Sequence, residues 1–141
     1  MRLIDLSHWN EVLDWNKVVD PIIHKCSQGT GNIDPTFVSR QATLRSKGKF
    51  LGSYHFSGNL QADKTIILGD PVAEADWYLK CLGEVREGEL LILDYESRSN
   101  PDPASWCLKF SKRIEEKFGV KPIIYTYHDI LTKYNWKALS D

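Results

Sequence analysis

Short apolar runs that turn polar at their C-terminal ends alternate along this chain with longer segments of helical period. Residues 3–7, 21–26, 50–56, 90–96 and 122–127 are the strand candidates. Most of each run is apolar on both faces, the pattern of parallel strands covered by helices. Asp34-Pro35 predicts a helix start, with the acid as N-cap and the proline at the first helical position, running to about Lys47 before Gly48. Asp70-Pro71 repeats the signal for a helix to about Glu87, with Val72, Ala75, Tyr78, Leu79 and Leu82 at helical spacing. Asp102-Pro103 does so again, leading to Phe118 with Gly119 as terminator. Residues 11–20 have room for one or two helical turns, and residues 58–69 show no period and read as a surface loop.

Alternation of strand and helix implies right-handed parallel crossovers, hence an α/β sheet or barrel. The periodicity leaves two forms open. One is an open doubly wound sheet; the other is about five of the eight units of a (β/α)8 barrel, a fold that typically needs about 250 residues.

The polar strand ends are the candidate chemistry. Asp5-Leu6-Ser7-His8-Trp9, Lys25-Cys26-Ser27-Gln28-Gly29-Thr30, Tyr54-His55-Phe56-Ser57, Asp94-Tyr95-Glu96 and Tyr125-Thr126-Tyr127 all fall at the C-terminal edge. In parallel α/β folds that edge carries the site, because loops converge there over open strand ends. Asp94 and Glu96, two apart on one strand, point to the same face roughly 6.5–7 Å apart. Ile92 joins them inward, while Leu91, Leu93 and Tyr95 face the helices. Two carboxyls in one partly desolvated pocket repel, so one gains proton affinity and the other does not, giving the donor and the anion that glycosidic cleavage needs. Solvated strand-end acids making ordinary caps are the competing reading. Trp9, Tyr54, Phe56, Tyr125 and Tyr127 gather at the same edge, and flat rings with polar tips stack on sugar faces, although some must serve the core.

Composition narrows the alternatives. The 141 residues are 42% hydrophobic and 26% charged, as in an ordinary globular domain. Eighteen Lys+Arg against nineteen Asp+Glu give a net charge of −1, which argues against a protein that grips nucleic acid or anionic membrane by bulk charge. No apolar stretch approaches the roughly 20 residues of a membrane span. Met1-Arg2-Leu3-Ile4-Asp5 does not read as a signal peptide, since an acid interrupts it. Cys26, Cys81 and Cys107 read as reduced, mostly buried thiols. His8, His24, His55 and His128 have no metal spacing, so no metal or other cofactor is expected, and His55 is kept as a second-rank donor beside Tyr54. Gln28-Gly29-Thr30-Gly31 lacks the Walker ending and reads as a turn. Ser7 and Ser57 lack a nucleophile-elbow context. Lys25 is placed to orient Asp5 or Asp94 by an ion pair.

Six blocks then carry a resemblance: Asp5-Leu6-Ser7-His8-Trp9-Asn10, Asp14-Trp15, Lys25-Cys26-Ser27-Gln28-Gly29-Thr30, Asp34-Pro35-Thr36-Phe37, Gly52-Ser53-Tyr54-His55-Phe56 and Leu93-Asp94-Tyr95-Glu96. Their order resembles glycoside hydrolase family 25, the Chalaropsis-type lysozymes, many of them phage endolysins, and Pro122-Ile123-Ile124-Tyr125-Thr126 extends the match. The resemblance implies a TIM-like (β/α) barrel, and an N-acetylmuramidase cutting the β-1,4 bond between N-acetylmuramic acid and N-acetylglucosamine in peptidoglycan. By position Glu96 resembles the general acid, Asp94 its partner and Asp5 the first-strand aspartate; Tyr54 and Tyr125 resemble cleft tyrosines. Trp9 and Phe56 join them as candidate sugar-binding rings. The resemblance also implies a protein made in the cytoplasm and acting on the bacterial wall, with phage encoding and release through a holin-type pore as one route.

Two departures stand out. Gln28 occupies a position where the family commonly has glutamate. The chain also stops after the fifth strand, so residues 1–141 are expected to form a catalytic domain whose later strands, with their active-site aspartate, are missing: an incomplete barrel. Exposed strand edges then predict a homo-oligomer or a partner chain completing the barrel. A non-catalytic remnant that binds wall glycan or a partner subunit, and an unrelated α/β enzyme, are the competing functions.

Overall fold

Aspartates before prolines open helices here, but not all in one way. The computed structural model describes residues 2–140. Asp70 caps α2 (Pro71–Leu82) by accepting from the Val72 and Ala73 amides at 3.0 Å each. Asp102 caps α3 (Pro103–Phe118) through the Ser105 amide at 3.1 Å. Asp34 instead lies one turn upstream of α1 (Phe37–Ser46), which has Thr36 at its cap position. Its carboxylate is engaged elsewhere, taking the Thr36 amide and hydroxyl on Oδ1 and the His8 amide and ring on Oδ2, at 2.7–2.9 Å. The predicted start at residue 35 is therefore two residues early: the acid ties the exit of the first strand to the helix. Helix α2 also ends sooner than predicted, at Leu82 rather than near Glu87. Gly83 takes φ of +63°, and from residue 83 to residue 87 only Val85 meets the core.

Five parallel strands pair in chain order, β1 (Ile4–Leu6), β2 (Ile22–Gln28), β4 (Phe50–Phe56), β7 (Leu90–Tyr95) and β8 (Ile123–Thr126). A short β3 (Asn32–Ile33) folds back antiparallel on the end of β2, so the Gly29–Gly31 segment is the turn it was read to be. Neighbours added in sequence curl the sheet into half of a (β/α) barrel, and the chain has the α/β architecture expected, with β1 and β8 as edges.

One face of that sheet makes the core. Leu91, Leu93 and Tyr95 of β7 pack with Tyr78 and Ala75 of α2 and with Trp106, Phe110 and Ile114 of α3. Phe110 of α3 stacks on His55 at 5.3 Å, and Tyr78 of α2 lies 5.5 Å from the same ring between centroids, which locks both helices to β4. A hairpin and two short C-terminal helices had no sequence signal. Within 58–69 a hairpin forms from β5 (Asn59–Leu60) and β6 (Ile66–Ile67), turning on Asp63, which accepts from the Thr65 amide and hydroxyl at 3.0 and 2.6 Å. Strands of two residues are too short to show a period. Beyond β8, α4 (His128–Lys133) and α5 (Lys137–Ser140) return to the core through Ile130, Tyr134, Trp136 and Leu139.

Two predictions follow from the packing. Phe110→Ala should destabilise the fold by about 3–5 kcal/mol in denaturant titration, because a fully buried ring leaves a cavity between two helices and a strand. The open edges carry Leu3, Ile123 and Tyr125 at 48%, 51% and 53% exposure, so light scattering at micromolar concentration should return a mass above that of a 16.2 kDa monomer. A stable monomer would show that these edges do not pair.

Candidate active site

Alternation along β7 sorts its residues. Leu91, Leu93 and Tyr95 are buried under the helices, so Ile92, Asp94 and Glu96 turn to the concave face. There they meet Asp5 from β1, Tyr54 from β4 and Tyr125 from β8 around a cleft of about 580 Å³, floored by Ile23, Leu90 and Ile92. The structure thus brings together all three predicted carboxylates and both predicted tyrosines. Tyr54 is buried and Tyr125 stands open at the sheet edge. Phe56 lines an adjoining groove of about 760 Å³, which shares Glu96 with the cleft and is walled by Leu60, Lys64, Thr65 and Ile66 of the hairpin segment. Trp9 lines neither: it is 82% exposed and rests on the His8 ring, 4.4 Å between centroids.

The acids differ in their surroundings. Burial, then Glu96 and Asp5, push the Asp94 carboxyl up to about 8 against the weaker pull of Lys25. Its Oδ1 is buried with no hydrogen-bond partner, in a residue that lines the cleft. Burial also raises Asp5, with the Tyr54 hydroxyl and Lys25 opposing it. Glu96 is tethered instead: the Tyr127 hydroxyl donates to its Oε2 at 2.6 Å. Arg98 lies 4.2 Å over the Tyr127 ring and forks to Asp129 at 2.9 and 3.2 Å, fixing the donor in place.

Lys25 makes no ion pair with Asp5 or Asp94 within 4 Å. Its ammonium donates to Gln28 Oε1 at 2.6 Å and sits 5.1 Å over Phe56, and it acts on the acids only through space. This corrects the expected ion pair: Gln28 and the Phe56 face capture the ammonium first. The Tyr127 tether has no signal in the sequence, where the ring is one more strand-end aromatic and both the tether and its Arg98–Asp129 support span a separation of 31 residues. All three cysteines are free, Cys26 and Cys107 buried and Cys81 half-buried. Among the described residues no set of three or more His, Cys, Asp or Glu converges as a metal site.

The curled parallel α/β sheet thus holds an acid pair and aromatic rings at its C-terminal strand edge, where α/β folds carry their sites. The profile described as glycosyl hydrolases family 25 matches residues 4–141, and the chain belongs to that family of glycoside hydrolases. It is 29% identical to the protein YegX of Escherichia coli (strain K12) over 93% of its own length, and spans 51% of that relative. It is similar to the bacterial lysozyme of Streptomyces coelicolor at 25% identity and a TM-score of 0.66, over 87% of this chain and 61% of the lysozyme. The CTP1L endolysin, at 24% identity, shares the fold with a TM-score of 0.76 over 96% of this chain and 48% of that one.

Asp94 makes a stability prediction. Below its ordinary value of 3.8 the carboxyl is protonated folded or unfolded, and above about 8 the folded chain must hold an anion in a desolvated pocket. The folded state therefore loses stability relative to the unfolded one as pH rises through that window. Asp94→Asn removes the titration, so its advantage over the parent should grow from near zero at pH 4 to about 1–2 kcal/mol at pH 9 in denaturant titration. An advantage independent of pH would mean that Asp94 does not hold its proton in the cleft.

Proposed function

We propose that residues 1–141 form a family 25 catalytic domain that hydrolyses the β-1,4 bond between N-acetylmuramic acid and N-acetylglucosamine in bacterial peptidoglycan. The observation that carries this reading is the acid pair of β7: one carboxyl buried and proton-retaining, the other hydrogen-bonded at the mouth of a groove. Membership of the family and likeness to the Streptomyces coelicolor lysozyme support it.

Glu96 is the general acid in this reading and Asp94 the group that orients the substrate's acetamido. Two carboxyls on the same face of one strand do not flank a sugar ring from opposite sides, so a direct nucleophile is disfavoured. An acetamido N–H donating to the Asp94 carboxyl favours its carboxylate, and the proton it gives up passes to Glu96. Glu96 then protonates the leaving glycosidic oxygen while the acetamido carbonyl oxygen bonds to the anomeric carbon and the C–O bond to the leaving sugar breaks. Water next attacks that carbon, Glu96 takes its proton, the acetamido group is restored, and one bond has been cut by one water. Asp5 adds negative charge where the positive oxocarbenium character develops, and Tyr54 and Tyr125 offer ring faces and hydroxyls to the sugar. No step calls on a cofactor.

Binding of wall glycan without turnover is the second reading, favoured by the openness of the cleft at β8, where Tyr125 is exposed. In either case the protein works at the bacterial wall. Among the described residues no helix is long and apolar enough to cross a membrane.

Lysis of purified Gram-positive walls, followed by turbidity and by new muramic acid reducing ends, tests the reading. Glu96→Gln keeps shape but has no transferable proton, and should lower the rate about 100-fold or more, with Asp94→Asn comparable and Asp5→Asn smaller. EDTA should leave the rate unchanged. Binding to walls with no new reducing ends would select the second reading, and a Glu96→Gln protein as active as the parent would overturn the assignment of the acid.

A further inference from the structure

Glu74 is a fully buried carboxylate in the first turn of α2, on the side of the sheet away from the cleft. Its Oε1 accepts from the Gly69 amide at 2.6 Å, and its Oε2 from the Gly58 amide at 2.8 Å and from His55 Nε2 at 3.0 Å. Because Glu74 can only accept, His55 Nε2 carries the proton, and the bare Nδ1 takes the Ser27 hydroxyl at 2.8 Å. Burial pushes the His55 imidazole below its usual range against the pull of Glu74, which keeps it neutral between the Tyr78 and Phe110 rings. Ser27, His55 and Glu74 line up like a hydrolytic triad, but none has any exposed surface, so no substrate reaches the hydroxyl.

What this unit holds is more informative. Gly58 and Gly69 are the two feet of the β5–β6 hairpin, and one carboxylate grips both. A Cβ on Gly58 would lie 2.6 Å from the Ile67 carbonyl oxygen, which excludes a side chain there, and one on Gly69 would lie 2.8 Å from Glu74 Oε1 and displace the carboxylate. The preceding Ser57 amide donates to the Asp94 carbonyl at 2.9 Å, so the hairpin is stapled to the acid-bearing strand as well. From these feet the hairpin reaches over the strand ends, and Leu60, Lys64 and Ile66 wall the groove that begins at Glu96. Lys64 lines it from a left-handed backbone, φ +67°, a conformation that costs a lysine energy and that the hairpin turn imposes.

We propose that Glu74, oriented by His55 and Ser27, is a positioning residue that sets the hairpin wall of this groove, and so fixes recognition of the saccharide units beyond Glu96 without touching them. The proposal rests on the glycan-cleaving reading and adds to it the part of the substrate that the hairpin reads: sugars outside the cleaved pair.

The test uses the full chain and two soluble probes, the dimer and the hexamer of N-acetylglucosamine. Glu74→Gln keeps the volume but replaces one acceptor by a donor facing an N–H. Hydrogen exchange at Gly58 and Gly69 should speed up while β7 stays protected. Hexamer affinity should fall about tenfold and dimer affinity by less than about twofold, with KM on walls rising and kcat held. Leu60→Ala and Lys64→Ala, both on the exposed hairpin, serve if Glu74→Gln does not fold, and should show the same length-dependent loss. A parent that binds neither probe nor wall overturns the glycan reading and this inference with it. A parent that binds both probes, with variants that lose them equally or not at all, overturns only the role of Glu74.

Discussion

Strand β7 can bury Leu91, Leu93 and Tyr95 against α2 and α3 only by turning Ile92, Asp94 and Glu96 to the opposite face. Everything else in the site is arranged around that constraint. Parallel pairing with β4 on one side and β8 on the other brings Tyr54 and Tyr125 alongside the acids. The curl of the sheet then swings Asp5 of β1 close enough to act on Asp94 through space. The core and the cleft are two faces of the same strand, so the packing that stabilises the fold also fixes the separation and direction of the carboxyls.

That arrangement is costly for the fold. An aspartate held near neutrality, with an unpartnered oxygen, is destabilising as an anion. Its surroundings contain an opposing charge, Lys25, but withhold contact, since the ammonium is taken by Gln28 and the Phe56 ring. An ion pair would have pulled Asp94 toward permanent ionisation. A cation at a distance moderates the repulsion among the acids and leaves the proton in place.

A second polar unit behind the sheet is satisfied where the cleft is not. Ser27, His55 and Glu74 meet one another's needs and hold two backbone amides, consistent with a structural buried network. Asp94 lacks a partner for one oxygen. The contrast separates a network closed on itself from a carboxyl that lines the cleft.

The parallel strands, the three Asp-Pro helices and the face on which Asp94 and Glu96 lie were legible in the residue pattern, because alternation, capping and apolar periodicity act over a few residues. Asp5, Tyr54 and Tyr125 were legible as strand-end residues for the same reason. The pattern had no access to partners distant in the chain: Tyr127 on Glu96, Arg98 on Asp129, or Glu74 beneath a hairpin of two-residue strands. Nor could it separate Trp9, which the turn after β1 leaves in solvent, from the rings that line the cleft and groove. Which acid keeps the proton was also beyond it, since that depends on how deeply each carboxyl is buried and which donors reach it. The sequence by itself determined the parallel strands, the three long helices and the face on which the strand-end acids lie; the tertiary structure decided which residues meet, because the curl of the sheet and the placement of the hairpin come from contacts between segments far apart in the chain.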